Sequence, residues 1–100
     1  MDLSEEQTAE EIFKEGQKEY KLGKYTKAIE DFTKAIELNL NDAKLYYSRG
    51  GVHEKLGEYT EALKDYKKGI RINLLDLQTI RQKRQNINQK QETVLKSKLS

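Results

Sequence analysis

The chain has 100 residues, 35% apolar and 36% charged, with a formal net charge of +2, no cysteine and no proline. So thin an apolar share at this length suits one elongated domain with a shallow core, and the missing cysteines exclude a disulfide framework or a thiolate metal site. No stretch approaches the roughly 20 apolar residues that cross a bilayer, and the acidic start Met1-Asp2-Leu3-Ser4-Glu5-Glu6 lacks the apolar run of a signal peptide, so an intracellular, cytoplasmic protein without membrane insertion is expected.

Residues 1–8 read as a lead-in and helix cap, with Ser4 and Gln7, or Thr8 and Glu11, at capping-box spacing. From Ala9 onward the sequence repeats itself. A shift of 34 residues aligns Ala9–Asp42 with Ala43–Asp76 without a gap, and 14 of the 34 positions are identical, among them Gly16/Gly50, Leu22/Leu56, Gly23/Gly57, Tyr25/Tyr59, Ala28/Ala62 and Asp31/Asp65. Self-similarity at this period marks a stack of small structural units.

Each unit, 9–42 and 43–76, reads as two helices. Gly23 and Gly57 stand where the first helix must stop, as a left-handed C-terminal cap requires. Behind them Tyr25, Ala28, Ile29, Phe32, Ala35 and Ile36 recur at three- and four-residue intervals, as do Tyr59, Ala62, Leu63, Tyr66, Gly69 and Ile70. Asn41-Asp42 and Asp76 supply side-chain oxygens to cap the next helix in each case. Gly16 and Gly50 lie mid-helix, where glycine costs about 1 kcal/mol against alanine; that cost is tolerable if the helix carrying Ala28 or Ala62 must come close. Phe32 and Tyr66 then fill the space between neighbours.

The run Gly16…Leu22-Gly23-Lys24-Tyr25…Ala28-Ile29…Phe32…Ala35-Ile36 resembles a tetratricopeptide repeat, and Gly50…Leu56-Gly57-Glu58-Tyr59…Ala62-Leu63…Tyr66 resembles a second. The resemblance implies an all-α fold: antiparallel helix-turn-helix repeats stacked as a short right-handed α-solenoid, with residues 77–100 as a terminal capping helix. It departs from the family pattern where Leu40 and Leu74 replace a common proline and Gly69 replaces alanine. It also implies a non-catalytic protein-interaction module, an adaptor or scaffold holding a peptide or helical segment of another protein on its concave face. Its groove residues would be Phe13, Lys14, Gln17, Tyr20 and Lys21; Lys44, Tyr47, Ser48, Gly51 and Lys55; and Gln78, Arg81, Gln82 and Gln85 from the last helix. Phe13 and Tyr47 would be exposed aromatic anchors. Ile12-Phe13-Lys14-Glu15-Gly16-Gln17 and Tyr46-Tyr47-Ser48-Arg49-Gly50 further resemble co-chaperone modules that grip chaperone C-terminal carboxylates. Phe13, Gln17, Ser48, Gln78 and Gln82 replace the lysine, asparagine and arginine of that clamp, so weak or absent binding of chaperone tails is expected.

Beyond Asp76 a further helix is expected to begin at Leu77-Gln78-Thr79-Ile80, closing the stack through Leu77, Ile80 and Ile87 while Val94, Leu95 and Leu99 overhang. Charge divides here: residues 1–76 hold 13 Lys/Arg and 16 Asp/Glu, whereas residues 77–100 hold 6 and 1. A basic end of this kind reads first as a solvated helix, and without interleaved aromatics it argues against nucleic acid as a partner. Leu77, Ile80, Ile87 and Val94 could form a weak seam between two copies, an assembly role that is the alternative reading.

No catalytic or cofactor signature appears. There is no phosphate loop, metal-ligand spacing or nucleophile elbow, so no cofactor and no metal are expected. His53, the single histidine, reads as a structural, half-packed residue. Glu11, Glu15 and Glu19 recur every fourth residue and read as a wet outer stripe on a first repeat that nothing precedes.

Overall fold

The computed structural model describes the backbone of residues 7–99 and the side chains of residues 7–86 and 89. Over these residues it is an all-α solenoid of four helices: α1 (Ala9–Lys21), α2 (Tyr25–Leu38), α3 (Ala43–Lys55) and α4 (Tyr59–Leu99). Two antiparallel hairpins, α1/α2 and α3/α4, pack through α2 against α3. Thr8 caps α1, its hydroxyl accepting from the Glu11 amide at 3.2 Å; Ser4, the competing cap, lies outside the described residues. Asp42 caps α3 by accepting from the Lys44 amide at 3.1 Å.

Both hairpin turns rest on glycine. Gly23 and Gly57 take φ of 77° and 76°, a region costly for residues with a Cβ. The Gly23 amide donates to the Tyr20 carbonyl and that of Lys24 to Glu19; Gly57 and Glu58 donate likewise to Glu54 and His53. This paired 5→2 and 6→1 pattern is a Schellman cap, which satisfies two of the terminal helical carbonyls as the chain reverses.

The core gathers Ile12, Phe13, Ala28, Phe32, Ala35, Ile36, Ala43, Leu45, Tyr46, Val52 and Ile72. Leu45 and Val52, both on α3, are the deepest large side chains. The mid-helix glycines permit close contact. A Cβ on Gly50 would stand 2.8 Å from the Tyr66 ring and 3.2 Å from the Ala62 carbonyl oxygen, whereas one on Gly51 would meet nothing nearer than 3.9 Å. Adjacent alanine substitutions should therefore have opposite signs. Gly51→Ala is expected to stabilise by up to about 1 kcal/mol through helix propensity, and Gly50→Ala to destabilise by about 1–2 kcal/mol as the ring and backbone yield. Urea denaturation of the two variants checks this, and equal signs would refute it.

Tyr59, expected as a packing residue, is instead 65% exposed. Its counterpart Tyr25 stacks on Tyr20 at 5.5 Å, but the position equivalent to Tyr20 is Glu54, which offers no ring.

The chief departure concerns residues 77–100. The separate closing helix expected from Leu77 is the continuation of α4, which runs unbroken for 41 residues. At about 1.5 Å per residue it spans about 60 Å, most of the molecule's 68 Å length. The difference lies in the residues around the end of each unit. In the first unit α2 ends at Leu38; in the connection beyond it the Tyr46 hydroxyl donates to the Leu40 carbonyl at 3.1 Å and Asp42 caps α3. The residue equivalent to Tyr46 is Ile80, which has no hydroxyl, and Asn41 is replaced by Leu75. With no such hydroxyl to compete for the helical carbonyl of Leu74, α4 continues through Asp76, which stands inside the helix instead of capping a new one. Leu77 and Ile80 consequently remain about half exposed instead of closing the stack; Ile87, Val94, Leu95 and Leu99 have side chains outside the described set.

Candidate functional site: the groove between α1 and α3

The first helices of the two hairpins lie side by side, and their equivalent positions meet. Lys44 Nζ reaches Glu10 Oε2, its counterpart 34 residues earlier, at 2.9 Å and stands 4.7 Å from the centre of the Phe13 ring. The Glu10 carboxylate raises the Lys44 pKa. Both groups are exposed, so the pair is weak and open to exchange with a ligand charge.

Deeper along the same face a pocket of about 290 Å³ opens, lined by Gln17, Tyr20, Lys21, Phe32, Tyr47, Ser48, Gly51 and Val52. Phe32 and Val52 form an apolar floor, and Tyr20 and Tyr47 its walls. The Tyr47 wall is held in place: the Asn73 amide donates to its hydroxyl at 3.1 Å, and its ring lies where a Cβ on Gly69 would fall, at 2.9 Å. Gly69 is thus the complement of Tyr47, which explains the missing alanine methyl. The volume is at the small end for binding sites and is enough for one bulky apolar side chain. Lys21 brings a positive charge to the pocket's lining, and Lys14 and Lys55 on the same two helices are likewise exposed.

The predicted groove residues are therefore partly united. Gln17, Tyr20, Lys21, Tyr47, Ser48 and Gly51 converge on the pocket. Phe13 does not: it is only 5% exposed and packs on Phe32 with ring centres 5.6 Å apart, because Gly16 leaves the Phe32 ring room to slide beneath it. Arg81, Gln82 and Gln85 lie on the extension of α4 and line no part of this pocket. Gln78 and Gln82 border a separate shallow hollow with Leu75, Thr79 and Lys83.

A second polar constellation escaped the pattern reading. Asp65 on α4, 5% exposed, is gripped by Arg49 of α3 through Nε at 2.9 Å and Nη2 at 2.7 Å, and Arg49 Nη1 also donates to Thr33 of α2 at 3.2 Å. One guanidinium thereby ties three helices together, and its pairing with Asp65 raises the Arg49 pKa. His53 sits beside it, half-buried, with Nδ1 3.0 Å from Glu58 Oε1. The equivalent positions in the first repeat read Glu15, Glu19 and Asp31. Glu19, expected on a wet stripe, is 5% exposed, because it faces α2 as His53 faces α4. The Oε2 atom of Glu19 and the Oδ2 atom of Asp31 are buried without a hydrogen-bond partner. Burial, reinforced by the charges of Glu15 and Glu19 over the relief from Lys34 and Lys27, raises the Asp31 pKa. The folded state holds that proton more tightly than the unfolded chain, so this group supports folding at acid pH and loses that support as pH rises through its raised pKa. The 34-residue shift itself carried the signal, an arginine replaced by a glutamate.

Family models described as TPR repeat and Tetratricopeptide repeat match residues 16–57 and 43–73. The chain belongs to the tetratricopeptide-repeat family, a family of generally non-catalytic protein-interaction modules. No curated protein matches the sequence. Among solved structures, the crystal structure of MamA is similar at 28% identity and a TM-score of 0.69, covering 70% of this chain and 41% of MamA; the chain thus spans well under half of that relative. No helix among the described residues is long and apolar enough to cross a membrane.

Proposed function

We propose that the chain is a non-catalytic adaptor that holds a segment of another protein in the α1/α3 groove. The observation that carries this reading is the pocket walled by Tyr20 and Tyr47, sized for a single apolar side chain and accompanied by Lys14, Lys21 and Lys55. The ligand is an extended peptide with one bulky apolar anchor flanked by acidic residues: the anchor fills the pocket, and the lysines draw the flanking charge. A chaperone C-terminal tail fits poorly, since Gln17 and Ser48 border the pocket where that clamp has asparagine.

Selection from a displayed random peptide library tests the reading. The native domain is expected to enrich acidic sequences around an aromatic or large aliphatic residue. Lys21→Glu with Lys55→Glu, both on exposed positions that leave the fold intact, should weaken the selected peptide about tenfold or more, as like charge replaces opposite charge. No enrichment, or peptides indifferent to the reversal, would sink the proposal. Enrichment only of peptides needing a free C-terminal carboxylate would revive the clamp.

A further inference from the structure

The repeat offers an internal template for a junction the chain does not make with itself. Within the chain, α2 meets α3, and at their contact Thr33 of α2 touches the Arg49 guanidinium that neutralises Asp65. A 34-residue translation turns this arrangement into one between two molecules. The α2 face maps onto α4: Ile29 onto Leu63, Thr33 onto Lys67, Ile36 onto Ile70 and Glu37 onto Arg71. The α3 side maps onto α1 and α2: Arg49 onto Glu15, His53 onto Glu19 and Asp65 onto Asp31.

The two open ends differ in ways that complement each other. On α4, Leu63 and Ile70 are 55% and 50% exposed, although their counterparts Ile29 and Ile36 are half-buried and buried. Lys67 and Arg71 join Lys64 and Lys68 around one basic hollow. At the other end stand Glu11, Glu15, Glu19 and Asp31, with two buried carboxylate oxygens unpartnered where the second repeat holds an arginine.

We propose that a second copy of the chain lays the Leu63–Arg71 face of its α4 against α1, so that its Lys67 brings to Glu15 and Asp31 the charge that Arg49 brings to Asp65. The geometry comes from the internal contact. The Arg49 guanidinium lies within hydrogen-bond reach of both Thr33 and Asp65, so a longer, cationic side chain at the Thr33 position reaches the aspartate from the opposite side. The charge has changed helices and pairs two molecules instead of two helices of one. Basic end meets acidic end, which makes the contact heterologous and the assembly an open head-to-tail row that continues the solenoid. It uses the ends of the stack and leaves the α1/α3 groove open.

Sedimentation velocity of the full chain over a wide concentration range tests this. The wild type is expected to grow in mass with concentration beyond a dimer and to shrink as salt screens the charges. Lys67→Glu and Glu15→Arg should each weaken association about tenfold or more, because each sets like charges face to face. Mixing these two variants should restore association, since every junction between them again pairs opposite charges. Circular dichroism should show both folded, and Glu15→Arg melting higher than wild type as it rebuilds the Arg–Asp pair within the first repeat. A wild type that stays monomeric, a closed dimer, association indifferent to either variant, or variants that do not rescue each other would overturn the proposal.

Discussion

Phe32→Ala is expected to lower stability by about 3–5 kcal/mol, a large part of what holds a domain of this size together. The ring is 2% exposed, stacks on Phe13, and occupies the space that Gly16 vacates, where a Cβ would stand only 2.6 Å from it. No neighbour can swing in to fill the void: Gly16 has no side chain, and Phe13 is held from above by Lys44. Tyr66 holds the equivalent place in the second repeat but is only half-buried, with its hydroxyl donating to the exposed Glu54 at 2.9 Å. Tyr66→Ala should therefore cost clearly less. Urea denaturation of both variants provides the comparison, and an equal or larger loss at Tyr66 would refute this ranking.

Arg49→Met ranks next. It keeps the aliphatic bulk but strands Asp65 in a buried site without its two short hydrogen bonds and releases Thr33. Breaking a fully buried pair costs about 3–5 kcal/mol; Arg49 retains some solvent contact, so about 2–3 kcal/mol is expected here. Asp65→Asn in the same chain should recover part of the loss, because the stranded charge is removed along with its partner. Thermal melts of the single and double variants decide the matter. A double variant that melts below Arg49→Met would mean that Asp65 contributes through contacts other than the ion pair.

Much of the fold is legible along the chain because it is local. The 34-residue period, the glycines that must adopt positive φ and the three-four spacing of apolar residues each depend on neighbours within a turn or two. Gly16 and Gly50 were readable as points of close approach. Their partners Phe32 and Tyr66 stand at the same offset in both units. The groove was half legible: Gln17, Tyr20, Lys21, Tyr47, Ser48 and Gly51 do converge, since that face is set by the repeat. Phe13 was misplaced because periodicity puts it on the groove side, whereas its depth depends on how far the Phe32 ring extends under Gly16.

The order of residues alone dictates the two hairpins, their turns and the face on which the pocket opens. Those properties belong to each repeat separately and are written twice. Packing in three dimensions governs the regions between and beyond the repeats. It ran α4 through Asp76, because no Tyr46 equivalent draws a carbonyl out of the helix there, and so left Arg81, Gln82 and Gln85 away from the groove. It buried Glu19 beside Asp31, a burial set by the packing of α1 on α2 and not by the polarity of the residue. Equivalent packing thus yields a satisfied ion pair in one repeat and two orphaned carboxylate oxygens in the other, because burial comes from the tertiary structure while the arginine that would answer it stands in the second repeat and is Glu15 in the first.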